Sequence, residues 1–347
     1  MQAVVKDKPV PGSLAVVDVN KPKLEKDCLI AKVDAVGICG TDLHICNWET
    51  NYQNRIGDRL PVVIGHEFCG VITEMDGESN DFKVGDRIVA APGISCGECY
   101  YCNTGAEEIC SNRKCTGIEL DGAMAEYVQI KKKNCFYIPP EFPVDIAATL
   151  EPMSIAYNAF AKAGRMMGQN VVVIGPGAIG YFVCLFAYLS GASSISIMGL
   201  PKDEERLRIF SANIPGIKIY TDNGKEFMAN NYLADTVFEL SGVAAGINVA
   251  LACTKKRAQI IEIGIPSRTT DINLVDLVRK ELVLKGTHAM SLKLWREMVS
   301  LMVSLPDEML QRFAAAVTHK YPLQDVEEAF AAARELKGLK VLLYPGK

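Results

Sequence analysis

The stretch VVVIGPGAIG, residues 171–180, decides the fold of the second half of the chain. Four apolar residues with strand character precede the pattern G-x-G-x-x-G, and an apolar helix pattern over 178–190 follows. In this arrangement the first glycine permits a tight turn, the second lets a pyrophosphate approach the backbone, and the third lets the helix pack on the strand. The helix N-terminus then favours phosphate groups. The sequence therefore predicts a dinucleotide-binding turn made of Gly175, Pro176, Gly177, Ala178, Ile179 and Gly180.

Strand and helix patterns alternate on both sides of this turn. Strand patterns occur at 171–175, 194–198, 218–220, 236–240 and 259–265, and helix patterns at 154–163, 178–190, 203–212 and 244–253. Apolar strands that alternate with amphipathic helices indicate a parallel sheet covered on both faces. We therefore predict the α/β class, with a doubly wound Rossmann sheet in this part of the chain.

The first 150 residues have a different pattern, with short Val/Ile runs separated by Gly, Pro and Asp. Many short strands between turn residues favour a β-rich barrel or sandwich. The tail from residue 291 is mostly helical and ends in a strand pattern at 340–345, which we expect to return to the first domain. A chain of 347 residues is long enough for two domains. We assign 1–153 with 291–347 to the β-rich domain and 154–290 to the Rossmann domain.

The composition excludes several classes of protein. The chain is 49% hydrophobic and 22% charged, with a net charge of -4, so it should be globular and bind neither nucleic acid nor an anionic membrane. Residues 166–201 lack charged side chains over a length that could span a membrane, but the glycine turn interrupts them. The N-terminus lacks the basic start and apolar run of a signal peptide. We expect a cytoplasmic protein.

Four cysteines in one loop predict a structural metal site. Cys96, Cys99, Cys102 and Cys110 follow the spacing C-x2-C-x2-C-x7-C. Four thiolates on a short loop can surround one zinc ion and leave no open position, which is typical of a structural site. An iron–sulfur cluster is the alternative, but no proline follows the last cysteine, and the long gap before it favours zinc.

The stretch 37–70 carries the residues for a second metal site. It contains Cys39, His66 and Glu67, three ligand types that zinc accepts. A catalytic zinc site uses three protein ligands and keeps a fourth position open for water or substrate. Taken alone, these residues could equally be a buried cysteine and a surface His-Glu pair.

The end of the strand at 194–198 bears on the choice of cofactor. An acidic residue at this place would bind the ribose 2′-hydroxyl of NAD. The chain has Gly199 there, followed by Lys202 and Arg206. We therefore predict a tolerance or preference for NADP. The alternative is that both basic residues are solvated charges at a helix start.

Across essentially its whole length the sequence resembles the zinc-dependent medium-chain dehydrogenases. It is most similar to the sorbitol and polyol dehydrogenases, through LEPMSIAYNA (150–159), and to the L-threonine 3-dehydrogenases, through HICNWE (44–49) and THKYPL (318–323). The family resemblance as a whole rests on GICGTDLH (37–44), GHEFCG (65–70), VGDRI (84–88), CGECYYC (96–102), DGAMAEY (121–127) and the glycine turn.

The resemblance implies a role for each site residue. The β-rich domain would be GroES-like and hold a catalytic zinc, and Thr41 and His44 would relay the proton while Asp42 holds His66. Ser241, Gly264 and Ile265 would lie beside the cofactor, although they could also be ordinary strand-ending turns. The ligands of the catalytic zinc would be Cys39, His66, Glu67 and Glu151, the last two bound directly or through water, and those of the structural zinc would be Cys96, Cys99, Cys102 and Cys110.

The resemblance also implies an activity. We expect reversible hydride transfer between NAD or NADP and a secondary alcohol of a polyol, sugar or sugar phosphate. Oxidation of L-threonine is the second choice. A zinc-free quinone reductase would not need the ligand set, and a non-enzymatic cofactor-binding or structural protein on the same fold is a further alternative. Family habit favours a homo-oligomer, a tetramer or a dimer.

Overall fold

The computed structural model describes residues 1–230, 232–266 and 269–346, and the chain divides into two compact units. The first unit contains Met1–Pro152, Ala289–Leu310 and Val317–Lys347, and the second contains Met153–His288 and Gln311–Ala316. Both ends of the chain therefore contribute to the first unit.

The strands alternate with helices from residue 150 onward. In chain order the strands are β1 (Gln2–Lys6), β2 (Leu14–Asp18), β3 (Cys28–Gly37), β4 (Val62–Val63), β5 (Glu67–Met75), β6 (Arg87–Ala90), β7 (Gly93–Ile94), β8 (Lys114–Cys115), β9 (Tyr127–Lys131), β10 (Cys135–Ile138), β11 (Asn170–Ile174), β12 (Ser194–Met198), β13 (Lys218–Tyr220), β14 (Ala234–Glu239), β15 (Thr254–Glu262), β16 (Val283–Gly286), β17 (Val317–Pro322) and β18 (Lys340–Tyr344). The α-helices are α1 (Gly40–Cys46), α2 (Thr50–Ile56), α3 (Tyr100–Asn103), α4 (Val144–Ala147), α5 (Leu150–Ala163), α6 (Ala178–Leu189), α7 (Glu204–Asn213), α8 (Lys225–Ala229), α9 (Ala244–Cys253), α10 (Leu274–Arg279), α11 (Leu292–Ser304), α12 (Asp307–Ala314) and α13 (Val326–Glu335).

The first unit is built around β3. This ten-residue strand is almost entirely buried and pairs antiparallel with β5, β9 and β18. This seven-stranded sheet has the order β10-β6-β5-β3-β18-β17, with β9 paired to β3 beside this path, and smaller sheets join β2-β1-β4 and β7-β8. The pairing of Leu342 with Gly37 places the last strand beside the end of β3. The predicted β-rich domain and the return of the final strand are both confirmed.

The second unit contains a six-stranded parallel sheet with the order β13-β12-β11-β14-β15-β16. From β11 the chain first builds outward through β12 and β13, and then continues on the other side of β11 with β14, β15 and β16. The order therefore reverses between β11 and β14, and in open α/β sheets ligands bind outside the carboxyl ends of the strands at such a switch point. The predicted Rossmann sheet is confirmed.

Some boundaries differ from the sequence-based expectations. The helix expected from residue 154 begins at Leu150, and the strand expected over 259–265 is β15, which ends at Glu262. The sequence did not predict α10 and β16, because both are short and partly exposed and so lack a clear apolar period. No helix among the described residues is long and apolar enough to cross a membrane, since 166–201 divides into strand, turn, helix and strand.

Two carboxyl groups meet at the carboxyl ends of β14 and β15. Glu239 and Glu262 are register partners on these adjacent strands, and Glu239 is fully buried. The Glu239 carboxylate accepts hydrogen bonds from the backbone N–H groups of Ser241 at 2.9 Å and Gly242 at 3.2 Å. Burial raises the pKa of Glu262 to about 8, and its hydrogen bond to Glu239 and the charge of Glu239 add to the rise. The pair therefore retains one proton at neutral pH.

Replacement of Glu262 by Gln should flatten the pH dependence of stability. Folded Glu262 keeps its proton up to about pH 8, whereas a free glutamate releases it near pH 4.3. The folded state binds more protons than the unfolded state between these values, so stability falls as the pH rises through that window. We expect the loss of melting temperature from pH 5.5 to 8.5 to be smaller in Glu262→Gln by several degrees, at about 2–4 °C for each kcal/mol of this linkage.

Differential scanning calorimetry of the full chain measures this effect. Glu226→Gln, which removes an exposed carboxyl group from the same unit, is the matched control and should keep the wild-type slope. Equal slopes in wild type and Glu262→Gln would contradict the shared proton.

Candidate zinc and dinucleotide sites

The end of β3 and the start of α1 position the first ligand. Cys39 directly precedes α1, and its backbone N–H donates to the Asp42 carboxylate at 2.9 Å. The neighbouring Ile38 N–H donates to the carbonyl of Val341 on β18 at 3.0 Å. The backbone that carries the Cys39 thiol is therefore fixed from both sides.

Cys39, His66 and Glu67 form one cluster. Their ligand atoms all lie within 4.8 Å of one another, and the His66 and Glu67 side chains are buried. Glu67 opens β5 and is the register partner of Gly37 on β3. A Cβ atom at Gly37 would lie 2.3 Å from Oε2 of Glu67, so only glycine leaves room for this carboxylate.

Lys340 is the buried partner of Glu67. Its Nζ lies 2.7 Å from Oε2 and 3.0 Å from Oε1 of Glu67, and it also donates to the carbonyl of Ile38 at 3.0 Å. Burial alone would lower the pKa of Lys340, but the negative charge of Glu67 outweighs it and the pKa is raised. The lysine therefore stays protonated and holds the carboxylate in place.

Burial disfavours the ionised forms of the acidic groups in the cluster. Burial raises the pKa of Cys39, and the charge of Glu67 adds to the rise. Burial also raises the pKa of Asp42. Burial disfavours the charged form of His66, yet the hydrogen bond and charge of Cys39 raise its pKa well above the usual value. Buried thiol and carboxyl groups of this kind are stabilised in their ionised form by a bound cation.

Glu151 and Asp42 complete the surroundings. Burial raises the pKa of Glu151 to about 7, with His66 opposing and Glu67 adding to the rise, so this carboxyl lies within electrostatic reach of the cluster. Oδ1 of Asp42 lies 3.9 Å from Nδ1 of His66, and these two buried atoms have no hydrogen-bond partner among the described residues. A thiol, an imidazole and carboxylates with such orphaned atoms fit a zinc ion.

The predicted proton-relay residues lie on α1 and contact α2. The hydroxyl of Tyr52 donates to Oγ1 of Thr41 at 3.4 Å, and Tyr52 also stacks on His44 with ring centroids 6.0 Å apart. His44 is exposed, and its Nδ1 lies 2.8 Å from Oε1 of Glu49. The structure thus places Thr41 and His44 around one tyrosine ring.

The four-cysteine loop has the geometry of a closed metal site. The sulfur atoms of Cys96, Cys99, Cys102 and Cys110 lie between 3.5 and 3.9 Å apart around a ring. A tetrahedron with zinc–sulfur bonds of about 2.3 Å has edges of about 3.8 Å. Backbone hydrogen bonds at Cys102 and Ser111 lower the pKa of Cys99 to about 6, which favours the thiolate that zinc binds.

The glycine turn follows β11 as the sequence predicts. Gly175 has a φ of +110°, and a Cβ atom there would lie 3.2 Å from the backbone nitrogen of Ser241. Gly177 precedes α6 with open space around it, and a Cβ atom at Gly180 would lie 2.3 Å from the carbonyl oxygen of Gly175. A tight turn, an open approach and close helix–strand packing are the three features that a dinucleotide turn requires.

The other predicted cofactor residues lie at the same carboxyl edge of the sheet. A Cβ atom at Gly264 would lie 2.3 Å from the nitrogen of Gly242, next to Ser241, and Ile265 is exposed beside them. A Cβ atom at Gly199 would lie 2.9 Å from Cγ of Pro176, so this glycine adjoins the turn. The buried Asp203 accepts from the backbone N–H of Leu200.

Sequence reasoning missed Lys340 as part of the metal region. Lys340 opens an apolar strand, where a buried lysine is unusual, and that could have been a signal.

Comparison with known proteins shows the family. A sequence model of the Alcohol dehydrogenase GroES-like domain matches residues 25–140, and one of the Zinc-binding dehydrogenase domain matches 178–304. The chain is 30% identical to an L-threonine 3-dehydrogenase of Paraburkholderia xenovorans, over 99% of this chain and 98% of that protein.

Solved structures agree in fold over the full length. A zinc-binding dehydrogenase of Sinorhizobium meliloti 1021 bound to NADP has a TM-score of 0.85 at 26% identity, with 99% of each chain covered. The 2R,3R-butanediol dehydrogenase of Bacillus subtilis has a TM-score of 0.83 at 25% identity, also with 99% of each chain covered. These matches favour an enzyme over the non-enzymatic alternative. The chain therefore belongs to the zinc-dependent medium-chain alcohol dehydrogenases, which use zinc and a nicotinamide dinucleotide.

Proposed function

We propose that the chain reversibly oxidises a secondary alcohol of a polyol, sugar or sugar phosphate, with NAD or NADP as the hydride acceptor. The observation that carries this proposal is the buried cluster of Cys39, His66 and Glu67, with Glu151 in electrostatic reach. A similar protein, the butanediol dehydrogenase, is named for a diol. This supports an alcohol with neighbouring hydroxyl groups as the substrate.

Zinc bound by Cys39, His66 and the carboxylates would act as a Lewis acid toward the hydroxyl oxygen, and the nicotinamide would accept the hydride. Lys340 orients the Glu67 carboxylate. Thr41, whose hydroxyl is within hydrogen-bond distance of Tyr52, would accept the proton that leaves the alcohol while it donates its own hydroxyl proton toward His44 through water. His44 is exposed and held by Glu49, so it can release that proton to water.

L-threonine is the second candidate substrate. The relatives named L-threonine 3-dehydrogenase match essentially the whole chain at 30% identity, and this supports a 3-hydroxy amino acid. The motif HICNWE (44–49) contains His44 and Glu49, which are paired at 2.8 Å. Threonine also carries a secondary alcohol, so the same catalytic residues would serve.

For the cofactor we propose a tolerance or preference for NADP. Gly199 adjoins the glycine turn and offers no carboxylate to a ribose 2′-hydroxyl, and Asp203 is used by the backbone of Leu200. Lys202 is exposed and Arg206 is half-buried at the start of α7. The structural relative bound to NADP supports the same choice.

We also propose a homo-oligomer formed through the edge of the parallel sheet, and a cytoplasmic location. The edge strand β16 exposes Val283 and Leu284, and the neighbouring α10 exposes further aliphatic side chains, including Val278. An exposed apolar sheet edge favours pairing with a second copy. Twelve free cysteines fit a reducing compartment.

The two zinc sites should respond differently when one of their cysteine ligands is replaced. Wild type should hold two zinc ions per chain and oxidise secondary alcohols. Cys39→Ser should hold one zinc, keep its fold, and lose at least about 1000-fold in kcat/KM, because several kcal/mol of charge stabilisation are removed. Cys99→Ser should also hold one zinc but lower the melting temperature.

Inductively coupled plasma mass spectrometry and steady-state kinetics provide these measurements. Cys135→Ala, a buried cysteine outside both clusters, is the control and should keep two zinc ions. A panel of polyols, sugar phosphates, 3-hydroxy amino acids and simple alcohols separates the two candidate substrates. Wild type with no zinc, or full turnover in Cys39→Ser, would refute the assigned site.

Arg206→Ala should lower kcat/KM for NADP about tenfold, because one charge-assisted contact to the 2′-phosphate is lost. The kcat/KM for NAD should change little. Arg208→Ala, which removes an exposed arginine of the same helix, is the control. Initial rates with both cofactors measure the ratio. A hundredfold preference of wild type for NAD would overturn the proposal.

Val278→Asp should dissociate the oligomer, because a charge would be placed in the apolar surface beside β16. Sedimentation equilibrium should give a dimer or tetramer for wild type and a smaller species for the variant. Val84→Asp, a change at an exposed valine of the first unit, should keep the wild-type mass. A monomeric wild type would exclude this interface.

A further inference from the structure

We propose that Arg113 binds an oxyanion of the substrate, so that this enzyme selects alcohols that carry a carboxylate or a phosphate over neutral ones. The inference rests on the proposed alcohol oxidation and specifies its substrate class. It concerns a residue that lies three positions beyond the last cysteine of the metal loop and belongs to neither zinc cluster.

The hairpin of β7 and β8 fixes the place of the guanidinium. Gly93 on β7 is the register partner of Cys115 on β8, and Arg113 directly precedes β8. A Cβ atom at Gly93 would lie 2.0 Å from both Nε and Nη2 of Arg113. The guanidinium therefore rests flat against the glycine backbone, in space that any other residue at position 93 would fill.

This place adjoins the catalytic cluster. The chain runs from Arg113 through β8 to Gly117, where a Cβ atom would lie 2.5 Å from the carbonyl oxygen of Gly65, the residue before His66. This close approach ties the segment that carries Arg113 to the backbone of a predicted zinc ligand. The positive charge of Arg113 also reaches Glu151 and the buried Cys115.

Among the described residues, the Arg113 guanidinium has no hydrogen bond and no ion pair, although the side chain is half-buried. The arginines of the nearby loop are engaged. Arg55 makes a bidentate pair with Glu119 at 2.6 and 3.1 Å, and Arg59 donates to the carbonyl of Ile118 at 3.1 Å. A guanidinium offers five donors in a planar fork, so Arg113 is left able to bind a ligand.

The chemistry of the fork defines that ligand. Carboxylate and phosphate groups present two oxygens in the spacing that a guanidinium binds bidentately, and arginine remains charged at all working pH values. A neutral polyol cannot make this contact. An oxyanion held at Arg113 would fix the orientation of the alcohol relative to the metal cluster, which improves catalysis through positioning.

Kinetics with matched substrates test the proposal. We would compare sorbitol, sorbitol 6-phosphate, gluconate and L-threonine in wild type, Arg113→Gln and Arg113→Lys. We expect Arg113→Gln to lower kcat/KM for the preferred anionic substrate by roughly 10- to 100-fold relative to sorbitol, mainly through KM, as expected for a lost hydrogen bond to a charged group. Arg113→Lys should recover part of this preference, because it keeps the charge without the fork.

Two further variants locate the effect. Gly93→Ala should displace the guanidinium and reproduce part of the loss, and the φ of Gly93 lies outside the left-handed region, so the backbone accepts alanine. Lys114→Gln removes the exposed charge next in sequence on β8 and should leave the anionic preference unchanged.

A binding measurement gives a readout besides turnover. Phenylglyoxal labels accessible guanidinium groups, and peptide mass spectrometry of the holoenzyme can quantify labelling at Arg113. Inorganic phosphate should protect Arg113 more than chloride at equal ionic strength. It should also inhibit wild type in competition with the anionic substrate, and this inhibition should weaken in Arg113→Gln.

The outcomes are distinguishable. If Arg113→Gln lowers turnover of neutral and anionic substrates equally and phosphate does not protect, Arg113 is only a counter-charge for Glu151 and the proposal fails. If wild type prefers neutral polyols, it also fails, while the proposed alcohol oxidation stands. If no alcohol of either class is oxidised, the proposed function fails first, and phosphate protection alone then decides whether Arg113 binds an oxyanion.

Discussion

The buried ion pair between Lys340 and Glu67 is the constraint on which the metal region depends. It ties the last strand of the chain to the ends of β3 and β5, because Lys340 also binds the carbonyl of Ile38. Loss of one partner from a buried pair costs about 3–5 kcal/mol, since the other charge remains in a medium of low dielectric constant. Lys340 balances the charge of Glu67, so it is the Cys39 thiol and the Glu151 carboxyl, whose pKa values burial raises, that need a bound cation to ionise.

The backbone around this pair explains why the ligands converge. Gly37 leaves the space that the Glu67 carboxylate fills, and Asp42 fixes the amide of Cys39 at the start of α1. In the second unit the carboxyl edge of the sheet shows a comparable use of small residues, where Gly175 and Gly264 approach their neighbours' backbones closely. In both units glycine residues let neighbouring chain segments approach closely, and buried carboxylates accept hydrogen bonds from the backbone amides of the turns.

The sequence predicted the features whose signal is local. The glycine turn and the four cysteines each depend on spacing within one short segment, and the alternation of strands and helices gave the Rossmann sheet. Contacts that join distant segments could not be predicted. Lys340 lies 273 residues from Glu67, and nothing near either residue identifies the other. The short exposed elements α10 and β16 were missed because their composition reflects an exposed surface rather than burial.

The same limit explains why the sequence alone leaves the choice of substrate open. The loop of residues 45–60 lies between the predicted zinc ligands Cys39 and His66, so it is a candidate for the place where the substrate is chosen, and this stays a prediction. In the fold, Arg55 and Arg59 of this loop are bound to Glu119 and to the backbone of Ile118. Arg113 directly precedes β8, and its guanidinium, which makes no hydrogen bond or ion pair with the described residues, rests against Gly93 on β7. The contact with the Gly93 backbone fixes the position of this guanidinium, and rigid placement is what selection between an anionic and a neutral substrate requires.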